Sequence, residues 1–174
     1  MILKVLIYPN PILKQKSVDV ENFDQKLHEL LDNMYETMIE KNGIGLAAIQ
    51  VGVAQNVLIL NLPVGEDEEQ SKDTTLELIN PVIIKKEGSK SYQEGCLSIP
   101  EYYDDVIRAA NVTLTYHDRY GETKSLDAKE LLSVAIQHEM DHLDGNLFVE
   151  KLSMLKRKKF EKEWKKKNRE HKKF

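Results

Sequence analysis

The sequence predicts an α+β fold. Three observations point there: an amphipathic helix over about residues 24–41, a series of short β-like runs through the middle of the chain, and a second helical stripe beginning near residue 130. In the first helix Leu27, Leu30, Leu31, Met34 and Met38 recur at helical spacing. Asn22 or Asp24 is placed to start it, and Gly43 to end it. Its methionines read as core fillers, since an unbranched thioether packs into irregular gaps. The β-like runs are 56–61, 77–84, 91–100 and 112–117, with Arg119-Tyr120-Gly121-Glu122 as a hairpin turn. Residues 63–73 are polar, acidic and glycine-containing, which predicts a solvated, mobile loop rather than a binding element. His28 and His117 have no ligand-like neighbours in sequence and read as structural.

In the second helix Leu131, Val134, Ala135, His138 and His142 continue one stripe, while Lys129, Glu130 and Gln137 lie off it. Asp127 followed by Glu130 has the spacing of an N-cap with its capping-box partner, and Gly145 supplies a C-terminal stop. A chain of 174 residues is long enough to bury a sizeable core as one domain. One cysteine excludes an internal disulfide and fits a reducing compartment. No apolar stretch approaches the roughly 18 residues of a membrane span, and the apolar start is broken by Pro9 and Pro11, unlike a signal peptide. A cytoplasmic protein is expected, with no membrane partner. The net charge of −4 hides an asymmetry: residues 156–174 carry eleven Lys/Arg against three Glu, or +8, leaving −12 on the first 155. The organisation expected is a domain over 1–155 followed by a basic helical tail over 156–174. Such a tail is either a solvated helix or a surface for an acidic partner such as RNA.

The chemistry is concentrated in His138-Glu139-Met140-Asp141-His142. An α-helix turns about 100° per residue, so side chains four apart share a face and both imidazoles can reach one cation, with Glu139 alongside as a base. Two histidines on an apolar stripe could instead be satisfied core residues. Burying both beside Glu139 and Asp141 without a cation would, however, leave several polar groups in need of partners. The lone Cys96 stands in Glu94-Gly95-Cys96-Leu97-Ser98-Ile99-Pro100, between a glycine and a strand-like run, where it reads as a metal ligand or a nucleophile. A thiolate and two imidazoles make three protein ligands and leave a fourth position open, as catalytic zinc-type sites do. A third segment, Gly43-Ile44-Gly45-Leu46-Ala47-Ala48-Ile49-Gln50, lacks both nucleotide-loop spacings and follows a helix, which argues against phosphate binding. Its one polar side chain, Gln50, is either a core strut or a donor aimed at a ligand.

With these segments together, the chain resembles the peptide deformylase family. The family pattern G-x-G-L-A-A-x-Q reads as Gly43 to Gln50, E-G-C-L-S as Glu94 to Ser98, and H-E-x-D-H as His138 to His142, and Tyr8-Pro9-Asn10-Pro11-Ile12-Leu13 matches the family's opening. The resemblance covers about the first 155 residues. It implies antiparallel β-sheets packed around a central helix carrying the HExxH motif, with a C-terminal helix, and hydrolysis of the N-terminal formyl group of formyl-methionyl nascent polypeptides. It also implies that Cys96, His138 and His142 hold one divalent metal, Fe²⁺ first, with Zn²⁺, Ni²⁺ or Co²⁺ fitting the same ligands. Glu139 takes the role of general base and then acid, while the Gln50 amide and the Leu97 N–H become the oxyanion donors. The substrate-binding positions implied are Ile44, Gly45, Glu94, Gly95, Leu131, Val134 and Ala135, and the basic tail would sit near the ribosome's exit tunnel. Two other readings are a nonenzymatic ribosome- or RNA-binding module with a structural metal, and an HExxH-type metallopeptidase. An open ligand position beside a base opposes the first. The Glu94 to Ser98 segment would be unexplained by the second.

Many relatives carry a basic residue after the position of Pro100, whereas this chain reads Glu101-Tyr102-Tyr103-Asp104-Asp105. An aromatic and acidic rim disfavours anionic peptides by like-charge repulsion. Formyl-Met-Ala-Lys is therefore expected to give a higher kcat/KM than formyl-Met-Ala-Asp, and equal values would remove the idea.

Overall fold

A computed structural model describes residues 1–63, 66 and 69–171 of the chain, and the side chains of residues 170 and 171 are outside the description. Helix α1 spans Gln25–Glu40 and is capped by Asp24, whose carboxylate accepts from the Leu27 N–H. Its predicted stripe is buried except Leu30, which is half-buried, and Thr37 joins it. The left-handed stop is Asn42 (φ 56°) rather than Gly43: the Gly43 N–H closes the helix by returning to the Met38 carbonyl.

Five antiparallel strands form the main sheet in the order β1 (Gly45–Ala47), β2 (Val57–Leu60), β3 (Leu76–Glu87), β6 (Asn111–His117), β7 (Thr123–Lys129). The run Val57-Leu58-Ile59-Leu60 is buried at every position because both faces of the sheet are covered. Val57 and Ile59 face α1 with Leu31, Met34 and Met38. Leu58 and Leu60 face the second helix, α2 (Glu130–Leu143), with Leu78, Leu114, Ala135, Ile136 and Leu143. Each such apolar side chain contributes about 1.5–3 kcal/mol on full burial. The remaining strands, β4 (Lys90–Cys96) and β5 (Ile99–Arg108), make a separate hairpin that closes over α2. Helix α3 (Met154–His171) lies against that hairpin, with Phe160 buried among Ile99, Val106, Leu147, Phe148 and Val149, and Trp164 packed beside it.

The α+β class and the three helices agree with the sequence reading, and three further local expectations are corrected. The run 91–100 is not one strand: it turns at Leu97 and Ser98, so Cys96 ends β4 and Ile99 begins β5. Asp127 does not cap α2. It lies in β7 and accepts from the Thr113 hydroxyl, and Lys129, at the cap position, makes no side-chain cap bond. Gln137, placed off the stripe, is buried, with its amide exchanging hydrogen bonds with the Ala109 backbone. The stripe itself faces the cleft described below, and Ile136 and Leu143 face the sheet, so α2 is buried on two sides. The expected solvated loop over 63–73 lies partly outside the described residues. Its described end is fastened: the Gln70 amide donates to the Gly43 and Asn61 carbonyls, and the Asn61 amide donates to the Ser71 carbonyl.

Gly145 (φ 80°) ends α2 as expected, and a side chain there would collide with the Lys14 carbonyl. The turn before β7 is held by Asp118, which accepts from the N–H groups of Tyr120 and Glu122. His28 contacts the Arg119 carbonyl at 2.9 Å and His117 packs edge-on against Phe23, both far in sequence from the motif residues. Among the described residues no helix is long and apolar enough to cross a membrane.

Candidate metal centre and substrate cleft

Three side chains from two elements converge on one point. The end of β4 brings Cys96, and α2 brings His138 and His142, stacked edge-to-face with ring centroids 5.1 Å apart. The Cys96 Sγ and the two histidine ligand nitrogens lie within 4.8 Å of one another. His138 Nδ1 is 2.7 Å from the Glu94 carboxylate, which turns Nε2 toward the shared point, while His142 Nε2 stands 3.3 Å from Cys96 Sγ. A thiolate and two imidazoles suit a first-row divalent cation of borderline softness.

The electrostatics of the pocket fit a cation. Burial opposes a charged His138 ring, yet hydrogen bonds to Cys96 and Glu94 and the nearby Glu139 outweigh it and hold this imidazole well above its usual range. Burial pushes His142 the other way, assisted by His138 and Arg108, and keeps it neutral with a lone pair available. Glu139 is pushed up to about 7, first by burial. Its Oε1 is 4.0 Å from His138 Nε2, and its Oε2 is buried without a hydrogen-bond partner among the described residues. A buried carboxylate with an unpartnered oxygen beside the ligand atoms can accept and return a proton.

Glu94 lines the cleft, and its carboxylate is engaged by protein partners. Although the sequence reading grouped it with the substrate-binding positions, its carboxylate accepts two bonds from Arg108, at 2.6 and 3.0 Å, besides its contact with His138. Burial works against its charge, but His138 and Arg108 more than compensate and hold it below the usual carboxylate range. Arg108 also donates to Asp141 at 2.7 Å. Sequence reasoning missed Arg108: it ends an alternating strand, where a charged side chain reads as solvent-facing. Only the fold shows it buried.

Gln50 sits in a short 3-10 turn, Ala48–Val51, and its Oε1 accepts from the Ala47 N–H at 2.9 Å. With the carbonyl end fixed there, the amide nitrogen must point to the centre, where it is 3.5 Å from Cys96 Sγ and 3.1 Å from Ser98 Oγ. Leu97 occupies the turn after Cys96, its side chain against Gly43.

A cleft of about 850 Å³ opens onto this centre. His138, Glu139 and Cys96 line it together with Ile44, Leu131, Val134 and Ala135. Val134 and Ala135 are buried at the floor, and Ile44 and Leu131 stand half-open at the rim. Gly45 backs onto the centre: a side chain there would meet Leu60 at 2.8 Å and Glu139 Oε1 at 2.9 Å. The Cβ direction of Gly95 is filled by the ring of Tyr103, itself 62% exposed. The glycines therefore admit neighbouring protein groups as well as leaving backbone bare toward the cleft.

The family model for polypeptide deformylase matches residues 2–158. The chain belongs to the peptide deformylase family. Its members are metal-dependent hydrolases that remove the formyl group from nascent polypeptides, so this chain is an enzyme of that class. It is 54% identical over 168 residues to the peptide deformylase of Helicobacter hepaticus, covering 97% of this chain and 93% of that one. It is 55% identical over 166 residues to that of Nautilia profundicola, covering 95% and 94%. Among solved structures, the peptide deformylase of Legionella pneumophila superimposes with a TM-score of 0.88 at 36% identity, over 100% of this chain and 99% of that one. A Met-Ala-Ser-bound peptide deformylase from Acinetobacter baumannii gives 0.81 at 31% identity, over 87% and 99%. Neither the nonenzymatic module nor the HExxH-type peptidase is supported.

The Glu94 contact generates a prediction. Removing a hydrogen-bond partner of a metal-ligating histidine typically costs about 10–100-fold in metal affinity. Glu94→Ala is expected to lose its metal to a competing chelator at a correspondingly lower concentration than the wild type, and an unchanged competition curve would refute the role.

Proposed function

We propose that this deformylase holds its metal through Cys96, His138 and His142 and uses Glu139 to carry the proton. The observation that carries the reading is the convergence of one cysteine sulfur and two imidazoles within 4.8 Å, beside a buried carboxylate with an oxygen unpartnered among the described residues, at the floor of an apolar cleft. When bound, a divalent cation supplies Lewis-acid activation of water and of the formyl carbonyl. Glu139 accepts a proton as water attacks the formyl carbon and delivers it to the amide nitrogen as the C–N bond breaks, giving formate and a free amine. The Gln50 Nε2–H and the Leu97 backbone N–H donate to the developing oxyanion. Ile44, Leu131, Val134 and Ala135 enclose the methionine side chain, and the backbone of Gly45 and Gly95 borders the path of an extended peptide. Glu94 is assigned to holding His138. The family resemblance puts Fe²⁺ first, and Zn²⁺, Ni²⁺ and Co²⁺ satisfy the same donors.

The test is formate release from formyl-Met-Ala-Ser by Fe²⁺-loaded protein prepared without oxygen. Glu139→Ala, with metal content retained, is expected to lower kcat/KM by about 10²–10⁴, the usual worth of a general base. No release by the loaded wild type would overturn the deformylase reading, whereas full activity of the variant would overturn only the role of Glu139.

The cytoplasm is the proposed location, where formylated chains emerge, and residues 1–155 are the proposed catalytic unit. The tail is proposed to dock near the ribosome's exit tunnel through the exposed lysines and arginines of α3, which surround the buried Phe160. Truncation after Leu155 would also remove Phe160 from the core, so charge reversal is the cleaner test. Lys165→Glu with Lys166→Glu and Arg169→Glu is expected to weaken ribosome co-sedimentation, with a shallower salt dependence, and to leave peptide turnover within about twofold; unchanged co-sedimentation removes the proposal.

A further inference from the structure

Residues 43–45 form one wall of the cleft, and the sequence makes that wall intrinsically loose. Two glycines flank Ile44, and glycine loses more conformational freedom on ordering than any other residue. The wall nonetheless has to be fixed, because Gly43 packs against the Leu97 side chain and Gly45 against Glu139. Part of the restraint is ordinary backbone bonding. The Gly43 N–H donates to the Met38 carbonyl at the end of α1, the Ile44 carbonyl accepts from the Asn61 N–H at 2.8 Å, and Gly45 pairs with Leu60. The Gly43 carbonyl is held instead by a side chain distant from the metal centre: Gln70 Nε2 donates to it at 3.0 Å and to the Asn61 carbonyl at 2.6 Å. Both protons of one amide are thereby spent on two carbonyls. Gln70 is itself fastened, since its own carbonyl accepts from the Tyr35 hydroxyl of α1 at 2.8 Å.

We propose that Gln70 is a positioning residue of the deformylase reaction: its amide pins the Gly43 carbonyl to Asn61 and so sets the wall along which the substrate passes. Gln70 is not among the residues lining the cleft. It acts through Gly43, whose Cα side is filled by Leu97 and whose neighbours Ile44 and Gly45 border the methionine pocket and the general base. An ordered wall is needed to bind the peptide in one pose, whereas the metal ligands are held separately by β4 and α2. Losing the tether therefore raises KM and leaves metal binding intact.

The inference rests on the deformylase reading of the cleft, and the experiment separates the two. Gln70→Glu keeps the shape of the side chain and removes both donors, and Gln70→Ala removes the side chain. With formyl-Met-Ala-Ser and Fe²⁺-loaded protein, both variants are expected to raise KM about five- to tenfold, the size of one or two net hydrogen bonds, with kcat within about twofold and metal stoichiometry unchanged. Amide hydrogen exchange in residues 43–46 is expected to speed up by a similar factor, a readout independent of turnover. Unchanged KM and unchanged exchange in Gln70→Glu would overturn the inference. So would a matched fall in kcat and metal content, which would mark general destabilisation. No formate from the wild type would defeat the deformylase reading alone, and the exchange comparison would still decide whether Gln70 orders the wall.

Discussion

The structure turns on a buried guanidinium. Arg108, 8% exposed, ends β5 and is bound by Glu94 from β4 and Asp141 from α2. A buried charge cannot be left unpaired: removing one partner of such a pair typically costs about 3–5 kcal/mol. Its partner on α2, Asp141, holds the β4–β5 hairpin against the face of that helix. That docking brings Cys96, two residues beyond Glu94, opposite His138 and His142. The same carboxylate that neutralises Arg108 also orients the His138 ring, so one ion network links the docking of the hairpin on α2 to the orientation of a metal-ligand candidate.

Helix α2 has to serve two surfaces at once, and this explains its composition. One side gives Ile136 and Leu143 to the five-stranded sheet, and the other gives Val134, Ala135, His138 and Glu139 to the cleft. The cleft side is apolar near the helix start and polar further along, so the floor grades from a pocket suited to a thioether side chain into a site for a cation and a proton. Gly45 completes the arrangement from across the helix. The strand bearing it runs so close that Glu139 occupies the place where a side chain would stand, which removes water and raises the carboxyl pKa toward neutrality.

What the sequence made legible was whatever depends on local period and short motifs. The stripe of Leu27, Leu31, Met34 and Met38, the Gly145 stop and the Gly121 turn follow from neighbours in sequence and appear where expected. The grouping of Cys96 with His138 and His142 was readable only because three motifs resemble one family; no spacing rule brings residue 96 to residue 138. The turn inside 91–100 was hidden because Leu97-Ser98-Ile99 alternates like a continuing strand, and the reversal shows only in the pairing of Cys96 with Ile99 across the turn. Asp127 looked like a cap because nothing local distinguishes a strand aspartate paired to Thr113 from one at a helix start. Arg108 and Gln70 were illegible for a common reason: each is polar, each is placed where solvent is the default, and each has partners from distant parts of the chain.

The division of the chain at residue 155 separates charge and does not separate packing. Helix α3 carries the positive excess on its exposed positions, yet Phe160 lies 4.6 Å from the Tyr102 ring, Tyr102 stacks on Phe148, and the Phe148 ring is 5.9 Å from that of His138. Three aromatic rings, Phe160, Tyr102 and Phe148, thus lead from the basic helix to a metal-ligand candidate. Pairs of this kind contribute about 0.5–1.5 kcal/mol each beyond their area. The helix is therefore part of the wall behind the active site, and its basic face is held at a fixed orientation relative to the cleft. If that face docks on an anionic surface, the packing of Phe160 on Tyr102 sets how the mouth of the cleft lies relative to it.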